Sequence, residues 1–107
     1  MIFHFLATDP KEWRQVQKEA SCKANYDGRY YFRSKDKTRW YTRDKAGHGH
    51  SKRNKGAYLK VYEDKKSTIE FLGSLDVNMQ PMPGKHESKL EPSIKKKDMN
   101  IVFGTRN

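Results

Sequence analysis

Three of the four histidines lie in glycine-containing stretches that have little periodicity. His48 and His50 stand in residues 47–51 (GHGHS), and His86 stands in residues 83–87 (PGKHE). Catalytic groups are over-represented on loops that a rigid scaffold holds in place. Histidine titrates close to neutral pH, so it can both accept and donate a proton during a reaction. These two stretches are therefore the first candidates for chemistry.

Two chemistries use histidines of this kind. His48, His50 and His86 could supply three nitrogen ligands to a catalytic zinc ion, although an H-x-H spacing is weak evidence and few acids stand nearby. Alternatively, two histidines could cleave RNA without a metal, one taking the proton of a 2′-hydroxyl and the other protonating the departing 5′-oxygen. Cations would then stabilise the charge that builds on the phosphate. Cations that stand near these histidines in the sequence include Arg43, Lys52, Arg53, Lys55 and Lys85.

The positive charge is concentrated in one part of the chain. The 107 residues carry a net charge of +10, and residues 29–60 hold eleven basic and two acidic residues, a net +9. A charge that only kept the protein soluble would be spread more evenly. Nucleic acid is the commonest partner of such a surface, with a membrane surface or an acidic protein as alternatives. No apolar run reaches the roughly 20 residues that a bilayer requires, so we expect no membrane span.

A helix is predicted near the start of the chain. Asp9 can cap it, Pro10 suits its first position, and Glu12 can reach back as in a capping box. Apolar residues at helical spacing then predict one narrow buried stripe and a helix over about 9–25. The residues of the stripe are Trp13, Val16, Ala20 and Ala24.

The rest of the chain is rich in strand signals. Segments with strand-like alternation or aromatic content are 28–33, 39–43, 56–63, 68–72 and 100–104, besides a short apolar run at 2–6 that contains His4. They predict two hairpins and a last strand, and His4 is interpreted as structural. Residues 77–97 hold three of the prolines and predict a long loop. The predicted fold class is α+β, a single nuclease-like domain over 1–107 in which an N-terminal helix packs on a curved antiparallel sheet of four to five strands, over about 28–104.

Aromatic residues have two interpretations in a chain with so few apolar residues. Only 34% of the chain is hydrophobic, so the aromatic 12% must supply much of the core. Exposed rings could instead stack on unpaired RNA bases. We expect Phe32 and Trp40 in the core, whereas Tyr30, Tyr31 and Tyr41 could serve either role.

The order of motifs between residues 39 and 88 resembles that of the C-terminal RNase toxin domains of bacterial polymorphic and contact-dependent growth-inhibition toxins. Those domains often carry an aromatic residue, Ser or Thr, Asp, an H-G-G-S-like turn, a W-K-aromatic strand and a G-K-H loop. The matching stretches here are Trp40-Tyr-Thr-Arg-Asp44, His48-Gly-His-Ser51, Tyr58-Leu-Lys-Val-Tyr62 and Gly84-Lys-His86. The chain departs from the pattern where His50 replaces a glycine and where 52–55 resembles an insertion. The expected tryptophan is either replaced by Tyr58 or absent, and the G-K-H loop is followed by Glu87-Ser88.

The resemblance implies a role for individual residues. His48 and His86 would be the acid and the base, in an order that stays open, and Lys60 and Lys85 would hold the scissile phosphate. Asp44 would orient a histidine or a loop backbone. His50 would be either an additional catalytic group or a tolerated substitution. The resemblance also carries over Ser51. Together with the basic and aromatic residues near the motifs it completes the predicted substrate-binding set, which is Arg39, Arg43, Ser51, Lys52, Arg53, Lys55 and Tyr58.

The resemblance also implies the fold group, the substrate and the partners. The fold would be that of the barnase, EndoU, colicin and RelE group, whose concave sheet face cuts RNA. The enzyme would need no metal or other cofactor, would attack RNA and most often tRNA, and would leave a 2′,3′-cyclic phosphate. It would be a monomer neutralised by an acidic immunity protein. It would be exported as part of a larger toxin and act in the cytoplasm of the target bacterium.

Two other functions stay open at this point. A basic, aromatic hairpin would equally serve a non-catalytic RNA- or ribosome-binding protein. The histidines would also suit a metal-dependent nuclease. Cys22 is the one cysteine of the chain, so no internal disulfide can form.

Overall fold

The computed structural model describes residues 10–44, 58–76 and 92–107. These ranges form one α-helix, seven strands and a short 3-10 turn. The helix α1 spans Pro10–Glu19, and the strands are β1 Cys22–Tyr26, β2 Arg29–Arg33, β3 Arg39–Asp44, β4 Tyr58–Asp64, β5 Thr68–Asp76, β6 Ile94–Lys95 and β7 Asn100–Gly104. The 3-10 turn at Lys96–Asp98 joins the last two strands.

All the strand pairs are antiparallel, and the strands form one sheet in the order β6-β5-β4-β3-β2-β1-β7. The prediction of an N-terminal helix packed on a sheet of four to five strands is therefore wrong. The described chain is mostly sheet, a seven-stranded half-barrel with one short helix. The two hairpins and the last strand are confirmed as β2–β3, β4–β5 and β7.

The interpretation of the sequence missed β1 because two periodicities coincide there. Ala20 and Ala24 continue the helical spacing, which extended the predicted helix to about residue 25. In the structure α1 ends at Glu19, and β1 buries Cys22 and Ala24, two residues apart, on one face. Residues four positions apart lie on the same side of a helix, whose turn is about 3.6 residues, and also on the same face of a strand, whose side chains alternate every two residues. Ala20 and Ala24 therefore fit both structures.

The strand β6 was missed because it contains only two residues. It lies inside the predicted loop 77–97. Of that loop the structure describes residues 92–97, in which 94–95 form β6 and 96–97 begin the 3-10 turn. The predicted opening strand at 2–6 with His4, and the rest of that loop at 77–91, lie outside the described residues.

The sheet must curl because its two edge strands are consecutive in the chain. A flat sheet of seven strands would hold its edges about 29 Å apart, since neighbouring strands lie about 4.8 Å apart. The four residues between Lys95 and Asn100 span at most about 17 Å. The connection therefore draws β6 and β7 towards each other and makes one face of the sheet concave.

The concave face carries the larger apolar core, which we call the inner cluster. Its buried members come from six strands and the turn before β7: Cys22, Ala24, Tyr31, Trp40, Tyr62, Ile69, Ile94 and Met99. Ile101 of β7 packs against them, so side chains from both edges of the sheet meet here. Edge-to-face ring contacts join Tyr31 to Tyr62 and Tyr62 to Phe71, with centroids 5.8 Å and 5.5 Å apart. Such geometry is the favoured one for aromatic pairs.

The convex face carries a smaller core, which we call the outer cluster. It contains Tyr41, Leu59, Val61 and Leu75. Trp13 and Val16 of α1 pack against this cluster, and the Trp13 ring meets Phe32 edge to face with centroids 5.7 Å apart. The helix therefore covers the middle strands through few side chains, and most of the core is formed by the sheet alone.

One carboxylate ties the connection between the edges to the middle of the sheet. Asp64, the last residue of β4, accepts a hydrogen bond from the Trp40 indole at 2.7 Å. The same oxygen forms an ion pair with Lys96 Nζ at 2.9 Å, and the Lys96 side chain is 6% exposed. A buried ammonium needs such a partner, because burying an unpaired charge is costly. Asp64 therefore fixes the 3-10 turn against β3 and β4.

Within residues 10–44, 58–76 and 92–107, no helix is long and apolar enough to cross a membrane.

We expect Asp64→Asn to lower the free energy of unfolding by about 3 kcal/mol, because it leaves the buried Lys96 ammonium without its counter-charge. The matched control is Glu63→Gln, which removes the ion pair between Glu63 and Lys65. Both of these side chains are about half exposed. That change is expected to cost less than about 1 kcal/mol. Urea unfolding followed by circular dichroism measures both values.

The double variant Asp64→Asn with Lys96→Met removes both charges and is expected to recover part of the lost stability. Equal destabilisation by Asp64→Asn and Glu63→Gln would contradict the role given to Asp64.

Candidate functional site

Polar side chains form a row across the concave face. Antiparallel pairing aligns Tyr31 with Thr42, Thr42 with Lys60, and Lys60 with Ser74. Residues that pair directly in a sheet present their side chains on the same face. We call these four residues the polar row. The row crosses the sheet from β2 to β5. It lies next to the inner cluster, on the side where β3 and β5 end.

The row is buried although it contains a cation and three hydroxyl groups. Thr42 is fully buried, Ser74 is 2% exposed and Lys60 is 9% exposed. The Thr42 hydroxyl donates a hydrogen bond to the Tyr30 carbonyl at 2.8 Å. Buried polar groups of this kind are costly unless they are hydrogen-bonded. A row of them on the described concave face is therefore a candidate binding site.

The Ser74 hydroxyl differs from that of Thr42. Its oxygen is buried and has no hydrogen-bond partner among the residues that the structure describes. A buried hydroxyl without a partner destabilises a fold by about 1–3 kcal/mol, so such groups call for an explanation. Ser74 pairs with Lys60 on the neighbouring strand. The hydroxyl and the ammonium are thus placed to bind the same anion.

Tyr31 forms the β2 end of the polar row, and Arg29 lies beside it on the same strand. Burial raises the pKa of the Tyr31 phenol, and the nearby Arg29 guanidinium and hydrogen bonds from Arg29 and Tyr62 offset this only in part. The phenol therefore stays protonated at neutral pH and keeps a hydrogen to donate. Arg29 and Tyr31 are two residues apart on β2, so strand alternation puts both on the concave face.

The ends of three strands meet just beyond the polar row. Asp44 pairs with Tyr58, and Tyr58 pairs with Asp76. Asp44 and Tyr58 flank residues 45–57, which contain His48 and His50. Asp76 is the last described residue before 77–91, which contain His86. Both histidine-bearing stretches are therefore attached to neighbouring strand ends.

The predicted site residues fall into three groups. Lys60 lies on the concave face, in the polar row. Arg39 and Arg43 alternate with Trp40 and Thr42 on β3, so they lie on the convex face with Tyr41. The backbones of Asp44 and Tyr58 pair with each other at the ends of β3 and β4. Outside the described residues lie His48, His50, Ser51, Lys52, Arg53, Lys55, Lys85 and His86.

The structure thus separates residues that the sequence interpretation had grouped together. An anion bound at Lys60 cannot also contact Arg43, because the sheet itself lies between them. The sequence interpretation missed Tyr31, Thr42 and Ser74 as companions of Lys60. Alternation within β3 and β4 was visible in the sequence, but the registers that align the three strands were not. The pairing of β4 with β5 also shifts by one residue between Val61 and Tyr62. Simple alternation along β5 therefore does not predict that Ser74 pairs with Lys60.

Exposed aromatic rings lie on the convex face near the sheet edge formed by β1 and β7. We call them the outer aromatic patch. Tyr30 is 50% exposed and Phe103 is 45% exposed. The Lys23 ammonium lies 4.3 Å from the centre of the Tyr30 ring and 5.4 Å from that of Phe32. An exposed ring beside a cation can stack on a base while the cation meets a phosphate. Of the tyrosines whose role stayed open, Tyr31 and Tyr41 are buried and Tyr30 is exposed.

The zinc hypothesis rests on His48, His50 and His86, which lie outside the described residues. Among the residues that are described, no group of three His, Cys, Asp or Glu side chains could hold a metal ion.

Comparison with known protein families, with curated protein sequences and with solved structures gives no match to this chain.

We expect Ser74→Ala to leave the free energy of unfolding unchanged or to raise it by up to about 1 kcal/mol, because alanine removes a buried hydroxyl that lacks a partner. Thr42→Val keeps the shape of its side chain but loses the hydrogen bond to Tyr30, so we expect a loss of about 1 kcal/mol. Urea unfolding compares the two variants. A loss for Ser74→Ala as large as that for Thr42→Val would mean that the hydroxyl is structural and would remove Ser74 from the site.

Proposed function

We propose that the protein is a metal-independent endoribonuclease that binds the RNA backbone on the concave face of the half-barrel. The observation that carries the proposal is the polar row, in which a buried lysine stands between two buried hydroxyl residues. A phosphate oxygen can accept hydrogen bonds from the Lys60 ammonium and the Ser74 hydroxyl, and charge-assisted bonds to a lysine are the stronger kind. The Thr42 hydroxyl donates to the Tyr30 carbonyl, so it lines the row without donating to the phosphate. The row therefore has the composition of a phosphate site.

The chemistry follows from the groups near the row. A histidine takes the proton of the ribose 2′-hydroxyl, whose oxygen attacks the phosphorus. The bond from phosphorus to the 5′-oxygen breaks, and a second histidine protonates that oxygen. The products are a 2′,3′-cyclic phosphate and a free 5′-hydroxyl. Lys60 and the Ser74 hydroxyl stabilise the negative charge on the phosphate during the displacement.

The pairing of strand ends supports a role for His48 and His86. The two stretches that contain them are attached at Asp44, Tyr58 and Asp76, whose backbones pair in one line. Lys60 is two residues from Tyr58 on β4. A phosphate held at Lys60 is therefore close to the strand ends from which both stretches continue, and this supports the proposal that His48 and His86 act on one phosphodiester.

The resemblance to RNase toxin domains extends the proposal to a biological role. In that role the substrate is RNA, most often tRNA, and the protein is the exported end of a larger toxin, acting in the target cell. An acidic immunity protein neutralises it. The net charge of +10 supports both partners, since a basic surface attracts RNA and an acidic inhibitor alike.

A second candidate function is RNA binding without cleavage. The observation that favours it is the outer aromatic patch, where Lys23 lies against the exposed ring of Tyr30. A strand-borne tyrosine beside a lysine is the arrangement that single-stranded RNA binders use. It lies on the face opposite the polar row, so the two functions can be tested separately.

Incubation with total tRNA, with and without EDTA, separates the candidate functions. We expect cleavage that EDTA does not change and that leaves a cyclic phosphate. Intact but retarded RNA on a gel would favour the non-catalytic function, and cleavage lost with EDTA would favour the metal-dependent one. His48→Ala and His86→Ala should each lower the rate at least about 100-fold, because one proton transfer contributes that much. His4→Gln is the matched control and should keep full activity.

The choice of face is tested by neutralising one cation on each side of β3 and β4. We expect Lys60→Gln to weaken RNA binding about tenfold, because it removes a charge-assisted contact to phosphate. Arg43→Gln makes the same change of charge on the exposed convex face and should weaken binding much less. Fluorescence anisotropy over a range of salt concentrations measures both, and Lys60→Arg should restore part of the affinity. A larger loss for Arg43→Gln would contradict a concave binding face.

A further inference from the structure

A second cationic site lies at the far end of the half-barrel. A pocket of about 400 Å³ opens between the turn from β4 to β5, the 3-10 turn after β6, and the residues that follow β7. Its basic lining residues are Lys66, Lys95, Lys96, Lys97 and Arg106, and we call it the basic pocket. Nothing in the proposed nuclease chemistry uses these residues.

The basic pocket is separate from the polar row. It lies beside the end of β4 at Asp64, four residues beyond Lys60 on the same strand. At about 3.3 Å per residue that is about 13 Å, so a phosphate held at Lys60 cannot occupy the pocket as well.

The charge of the basic pocket is largely uncompensated. No acidic residue is among those that line it in the described part of the chain. Lys96 is paired with Asp64. Lys66, Lys95 and Lys97 are exposed, and no ion pair joins them to a described carboxylate. Like charges that converge on one concavity repel each other, and an anion in the concavity relieves that repulsion.

The backbone around the basic pocket is held by hydrogen bonds, which fix the positions from which its cationic side chains extend. The Lys96 amide donates to the Ser67 carbonyl at 2.9 Å, and Thr68 pairs with Lys95. Arg106 donates a hydrogen bond from its guanidinium to the Met99 carbonyl at 3.0 Å. A binding site whose groups are already in place loses less entropy when a ligand enters it.

The composition of the lining indicates the ligand. Its polar groups are lysines, an arginine, the hydroxyl residues Ser67 and Thr68, and Asn107, and no aromatic ring is among the described residues that line it. Base recognition commonly uses a stacking surface, whereas phosphate recognition requires only cations and donors. We propose that the basic pocket binds phosphate groups, carried either by an RNA backbone or by a small phosphate compound. This inference does not depend on whether the protein cleaves RNA.

The test is an NMR titration of the ¹⁵N-labelled full chain, with inorganic pyrophosphate in one arm and a short single-stranded RNA in the other. We expect the amide signals of residues 95–97 to move in at least one arm, and the arm identifies the source of the phosphate. Movement at Thr42, Lys60 and Ser74 reports the polar row separately, so failure of either site is seen independently of the other.

Two double variants of equal charge complete the test. Lys95→Gln with Lys97→Gln should weaken the binding seen at the pocket by about fivefold or more, since it removes two cations that would contact phosphate. Lys18→Gln with Lys35→Gln removes two exposed lysines outside the pocket and should leave that binding unchanged. Unmoved signals at 95–97 in both arms, or equal weakening by the two double variants, would overturn the proposal.

Discussion

The four residues that link β6 to β7 constrain the whole architecture. They connect the two outermost strands, so the sheet cannot be flat, and its curvature decides which face is concave. The curvature also lets a chain with 34% hydrophobic residues close a core, because side chains from both edges meet in the inner cluster. Asp64 fixes this connection by pairing with Lys96 and accepting a hydrogen bond from Trp40. A second buried cation, Arg33, binds Ser21 and the Thr105 carbonyl on the β7 side.

The concave face changes character along the strands. Around Trp40 and Tyr62 it is apolar and aromatic, and one residue pair further along it becomes the polar row. The sheet therefore supplies a rigid apolar support directly beside buried hydroxyl and ammonium groups. Such a support lowers the local dielectric constant and strengthens the interaction of the cation with an anion. That environment is the physical basis for proposing phosphate chemistry at Lys60.

The sequence predicted local structure better than it predicted the arrangement of the strands. Alternation and aromatic content located β2, β3, β4, β5 and β7, because those signals depend on neighbouring residues. They failed at β1, where helical and strand periods coincide at Ala20 and Ala24, and at β6, which is too short to show a period. Lys60 could be selected as a phosphate ligand, but its alignment with Thr42 and Ser74 depends on strand register. Register is set by turns, bulges and the packing of one face, none of which a single segment reveals.

The strand β3 contributes to both faces at once, with Trp40 and Thr42 inside and Tyr41 and Arg43 outside. Its length is therefore as constrained as its composition. One residue inserted between Tyr41 and Thr42 would invert every side chain beyond the insertion. The arginine would enter the barrel interior beside Lys60, and the threonine would turn towards the side of the helix. A single-residue insertion or deletion within β3 is therefore expected to be more damaging than substitution of its exposed Arg43.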